Sequence, residues 1–169
     1  IGLPHGAFDA AISLSMISSH KKFTRFTGIL LSYLLLTVLV IFAWMQFPEI
    51  SLLIFLVISV IHFGMADFSA YPTKLKWPHV IAHGGIVAIW LPIINKEEVM
   101  KLFVILTNSV APFLWKSLSV LILFWLIAGI LHLFETFRSK HYLVIFEFFI
   151  LILLAFFAPP LVTFAVYFC

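Results

Sequence analysis

Charge and cysteine are what this sequence has least of. Only 10% of the 169 residues are charged, with a formal net charge of +3, too few to build the mixed charged surface of a soluble domain. No basic tract is present, which removes nucleic acid as a partner. The single cysteine, Cys169, excludes an internal disulfide and any cysteine-based zinc or iron–sulfur cluster within these residues, and leaves the redox compartment open. Gly-x-Ser-x-Gly, P-loop and Rossmann patterns are missing, so hydrolase, nucleotide and dinucleotide chemistry have no motif to stand on. No secretory n-region, h-region and cleavage-site series opens the chain, which begins inside an apolar segment, and both ends look cut.

What is there is hydrocarbon. The chain is 64% hydrophobic and 17% aromatic, with a mean hydropathy of +1.21. A bilayer lets helices be apolar on nearly every side, whereas water does not. The expected fold class is therefore all-α: a polytopic transmembrane helix bundle of about six spans plus the start of a seventh, one integral-membrane helical domain over residues 1–169. About twenty apolar residues cross a bilayer. Charges and prolines separate spans at Gly2–Ser19, Phe26–Phe47, Ile50–Phe68, His79–Ile94, Pro112–Phe134 and Tyr142–Ala158. Residues Val99–Val110 are too short to cross and read as interfacial or re-entrant. Pro159-Pro160 removes two successive N–H donors and must break the sixth helix, so Leu161–Cys169 begins another.

Loop charges orient this layout. Lys21, Lys22, Arg25, Lys74, Lys76, Arg138 and Lys140 fall on one side, and Lys96, Lys101 and Lys116 on the other. The positive-inside rule puts the first group in the cytoplasm. A multi-pass protein of the cell inner membrane is the expected localisation.

An ionisable side chain at mid-bilayer costs a few kcal/mol on insertion scales, so each histidine within a span asks for a reason. His20 and His141 lie in loops beside Lys and Arg and read as solvated. His5 and Asp9 are four apart, on one helix face, where the carboxylate can hold one imidazole nitrogen and leave the other for a metal. His62 and Asp67 are five apart, which pairs them only if the helix loosens near Gly64. His79 and His83 stand at i and i+4, a spacing that chelates one metal from one face or serves packing equally well. His132 and Glu135, at i and i+3, run opposite to the Glu-x-x-His order of di-iron bundles. The twenty phenylalanines suit lipid and core positions, and also a long conjugated hydrocarbon. On residues alone, a divalent-metal transporter using His5, Asp9, His79 and His83, a haem-b protein with axial histidines on facing helices, and a structural membrane subunit all stay open.

Three motifs in one chain narrow this. GLPHGAFD (Gly2 to Asp9), HFGMAD (His62 to Asp67) and FAVYFC (Phe164 to Cys169) together resemble the Brp/Blh family of membrane-bound β-carotene dioxygenases, and the resemblance runs from end to end. It implies an enzyme that cleaves the central double bond of β-carotene with O₂ to give two retinals, which points in turn to a retinal-binding rhodopsin as a functional partner. It also implies Fe(II) held by histidines, two in the first two motifs and two beyond the YFC motif. The carry-over is limited to His5 and His62 as metal ligands; Asp9, by its spacing from His5, and Asp67 are read as the carboxylates behind them. The sequence stops at Cys169, so a complete site is not expected from these residues.

Overall fold

The computed structural model describes residues 22–70 and 73–167. The first expected span, with His5 and Asp9, lies outside them. The described residues are helical almost throughout and contain no strand, as an all-α bundle requires. The chain divides into two compact units, Ile1–Phe47 with Phe168–Cys169, and Pro48–Tyr167.

In the first unit, α1 (Lys22–Gln46) carries an apolar stretch of 21 residues, Phe26–Gln46. Ser32 and Thr37 each donate to the carbonyl four residues back, Gly28 and Tyr33, at 2.9 Å, so neither brings an unpaired polar group into hydrocarbon.

The second unit starts with α2 (Pro48–Ala70) and continues through α3 (Lys76–Gly85), a π-helical turn (Ile86–Trp90) and α4 (Leu91–Ile94). These last three form one rod of 19 residues, the most buried of the four helices long and apolar enough to cross a membrane. The rod begins at Lys76, ahead of the expected His79, because Pro78 sits in the first turn, where a missing N–H breaks no helical bond. The π turn has a local cause and a local effect. The Ile86 N–H bonds the His83 carbonyl, and the Ala82 carbonyl accepts the Trp125 indole N–H at 2.9 Å. Trp125 also stacks on Trp90 with centroids 5.2 Å apart, locking the rod to α6 (Pro112–Arg138).

Against α2 the rod packs backbone to backbone. A Cβ on Gly64 would overlap the Val80 carbonyl, and one on Gly84 would overlap the Val60 carbonyl. This reciprocal glycine contact lets two membrane-length helices approach as small residues do in lipid, and it carries His79 and His83 in against α2.

Between these rods, α5 (Lys96–Thr107) buries Val99, Phe103 and Thr107 on one face, the i, i+4, i+8 stripe of an interfacial helix. At 12 residues it spans about 18 Å and does not cross a bilayer, as the sequence indicated. Asn108 ends α5 in the left-handed region (φ 51°) and Ala111 enters α6 at the same φ. Glu49, in the first turn of α2, fastens this corner. Its carboxylate accepts the backbone N–H of Phe113 at 3.0 Å and of Leu114 at 3.3 Å, and the Ser109 hydroxyl at 3.1 Å, placing a negative charge at the N-terminus of a 27-residue helix.

At the opposite end of α6, the Lys74 N–H and the Ser139 hydroxyl both donate to Glu135 Oε1, at 3.1 and 3.0 Å. The basic loops around residues 74 and 139 therefore meet at one end of the unit, as the charge alternation expects. Last come α7 (Tyr142–Phe157) and α8 (Pro160–Tyr167), separated by extended Ala158 and Pro159. The prolines break the chain where expected. At 16 residues, α7 is about 24 Å long, short of the ~30 Å hydrocarbon thickness. Four crossing-length helices among the described residues mark a membrane protein.

Candidate metal centre

Near the loop end of this unit, three histidines from two helices meet. His79 and His83 lie one turn apart on α3, and His132 reaches them from α6; all three are buried, and their ligand-capable nitrogens lie within 4.8 Å of one another. The His79 and His83 rings stack, with centroids 4.4 Å apart and planes at 12°, while His132 stands nearly perpendicular to both. His83 Nε2 and His132 Nε2 are 3.1 Å apart. Phe148 from α7 lies against the His83 and His132 rings, and Phe68 from α2 against His79.

Each ring has a polar neighbour at its other nitrogen. His79 Nδ1 is 3.3 Å from the Thr73 hydroxyl, and His132 Nδ1 is 3.4 Å from the Thr136 hydroxyl. His83 Nδ1 is 3.5 Å from Asp67 Oδ2, a long contact rather than a well-formed hydrogen bond. Asp67 in turn accepts the Tyr167 hydroxyl at 2.8 Å. Polar neighbours behind the δ-nitrogens, with the His83 and His132 ε-nitrogens facing each other, are the arrangement that outer partners impose on metal-ligating histidines.

The residues singled out by sequence are distributed as follows. His5 and Asp9 lie outside the described residues. His62 sits on the exposed side of α2, its ring edge-on to Phe63 at 5.5 Å, with no hydrogen-bond partner among the described residues. The helix runs unbroken through Gly64, so Asp67 does not turn back toward His62. Its partners are His83 and Tyr167, which join the HFGMAD motif to the YFC tyrosine across α2, α3 and α8. His132 is the residue that spacing reasoning missed. Its i+3 relation to Glu135 drew attention to the wrong neighbour, since Glu135 faces the 74–139 corner. Only the i, i+4 pair at His79 and His83 signalled a cluster, and the third member lies 49 residues further on.

Beside Phe63 a cleft of about 250 Å³ opens among α2, the π turn, α5 and α8, lined by residues such as Phe55, Leu56, Phe103, Leu161 and Phe164. Its walls are almost wholly apolar, so it admits hydrocarbon and offers nothing to a polar solute.

The donor set suits a metal. Three buried imidazoles each offer a ligand nitrogen, and His79 Nε2 is buried without a hydrogen-bond partner among the described residues. Imidazole donors of this kind favour divalent iron, zinc, copper or nickel. An all-α membrane bundle with an intramembrane histidine cluster and an apolar cleft is thus the class that fold and site define. Within that class, the family described as beta-carotene 15,15'-dioxygenase matches residues 1–169, and the chain belongs to that family. A relative from an uncultured marine bacterium (66A03), named beta-carotene 15,15'-dioxygenase, is 63% identical over all 169 residues. The chain spans 62% of that relative's length. No solved structure matches it.

Proposed function

We propose that this chain is the larger part of an iron-dependent enzyme of the cell inner membrane that cleaves the central double bond of β-carotene with O₂. The carbon–carbon double bond breaks, each of its carbons is oxidised to an aldehyde, and each oxygen atom of O₂ ends in one of two retinals. The observation that carries this reading is the family match along the whole chain. The physical setting agrees: the substrate dissolves in the bilayer, the helices are of bilayer length, and the cleft between them is apolar.

Iron, when bound, supplies the oxygen activation. His5 and His62 are proposed as ligands on the resemblance of their motifs. The imidazole of His62 is exposed and has no hydrogen-bond partner among the described residues, so no hydrogen bond to them has to be broken for it to serve. Asp9 and Asp67 are proposed as supporting carboxylates, with Asp67 acting from its position against His83 and Tyr167. The protein's own part is to bind the polyene along apolar walls, fix which double bond is presented, and keep water out. A retinal-binding rhodopsin is the natural consumer of the product.

Product analysis tests the reading. The whole protein, supplied with β-carotene and O₂ in detergent or lipid, is expected to yield retinal alone, two molecules per carotene. Chromatography showing aldehydes of unequal length would remove central cleavage from the assignment.

A further inference from the structure

The tautomers of the buried histidines do not balance by themselves. The Thr136 hydroxyl has one proton, and it is spent on the His132 carbonyl at 2.6 Å. Toward His132 Nδ1 the same oxygen can only accept, so Nδ1 carries the proton and Nε2 presents a lone pair. His83 Nδ1 faces the Asp67 carboxylate, an acceptor, so it too carries its proton on Nδ1 and presents a lone pair from Nε2. Two lone pairs therefore confront each other across 3.1 Å inside the protein. That arrangement is repulsive unless a cation lies between them.

A proton would join two nitrogens and leave the third unused. His79 supplies the third: it offers a nitrogen within 4.8 Å of the other two, and its Nε2 is buried without a hydrogen-bond partner among the described residues. A metal ion uses all three. Two nitrogens bound about 2.0–2.1 Å from one ion stand roughly 2.8–3.4 Å apart at angles between a right angle and the tetrahedral value, and the His83–His132 separation of 3.1 Å falls in that range. Asp67 offsets the positive charge through His83 and is itself steadied by Tyr167. Phe68 and Phe148 close the surroundings. Three imidazoles also leave an open coordination position.

We propose that His79, His83 and His132 form a resident metal site, taking one divalent transition cation of the imidazole-preferring class and using neither His5 nor His62. The test separates it from the dioxygenase reading by counting metal rather than retinal. The whole protein carrying His5→Ala and His62→Ala is stripped with chelator, equilibrated with Co²⁺, freed of excess and assayed for bound metal and visible d–d absorption. About one Co²⁺ per chain is expected to remain. Adding His83→Asn and His132→Asn is expected to abolish it. Asp67→Asn in the same background, which keeps all three ligands, should weaken retention about 10- to 100-fold, the usual effect of losing a carboxylate behind a ligating histidine. If the His5/His62 variant retains no Co²⁺, or if bound Co²⁺ is indifferent to the His83 and His132 replacements, the site does not exist. Should the fourfold variant fail to fold, the metal count of the twofold variant and the Asp67→Asn shift decide between these outcomes.

Discussion

Replacing His62 with alanine is expected to abolish retinal formation by the whole protein while leaving the described helices folded. The two halves of this expectation come from different observations. Loss of activity follows from the proposed ligand role: removing a carboxylate behind a metal ligand costs 10- to 100-fold, so removing a ligand itself should cost more than about 100-fold. The retained fold follows from position. His62 is exposed on α2 and has no hydrogen-bond partner among the described residues, so its truncation breaks no contact within the described helices. His83→Ala is expected to lower stability as well, since that ring is buried against His79, His132, Phe148 and Asp67. Retinal yield measured beside a denaturation midpoint separates the two. A His62→Ala protein that cleaves at the normal rate would take this residue out of the chemistry.

Gly84→Val is expected to be the most damaging single substitution for the fold. The added side chain would meet the Val60 carbonyl and the Gly64 N–H, which are backbone atoms and cannot rotate aside. The whole α2–α3 crossing must open. Overpacking ordinarily costs 1–3 kcal/mol; here no flexible neighbour absorbs it, and a loss above about 3 kcal/mol is anticipated, enough to exhaust much of a typical folding free energy. Because α3 also carries His79 and His83, any folded remnant should lose the metal-binding geometry with it. Gly28→Ala is the control. Its Cβ would meet nothing within 4 Å, so the change should be neutral or stabilise α1 by up to ~1 kcal/mol. Unfolding in mixed detergent reads both, and equal stability of the two variants would contradict the close crossing.

Much of this was legible in the sequence because it follows from one-dimensional quantities. Apolar run lengths placed α1, α2 and α6, and paired prolines placed the α7–α8 break. Hydrocarbon composition implied an all-α membrane bundle. Where the reading stopped short, a through-space contact decides. Pro78 seemed to bound the third rod, yet a proline in a first turn costs no hydrogen bond, and the helix begins ahead of it. Glu49 serves α6 from the first turn of α2, and that service depends on a partner over sixty residues away. Pairing Asp67 with His62 needed the helix to loosen near Gly64; the helix is unbroken there, and the carboxylate lies toward His83. The His79–His132 approach has no counterpart in local spacing, because α3 and α6 are brought together by Trp125 and by glycines that admit α2.

The most direct measurement is iron dependence in the whole protein. Purified protein is stripped of metal, reloaded with Fe(II) under anaerobic conditions, and given β-carotene and O₂. Retinal should be undetectable from the stripped protein and return with Fe(II), at two molecules per carotene consumed. Full retinal formation by metal-free protein, or iron-loaded protein that leaves β-carotene intact, would contradict the assignment.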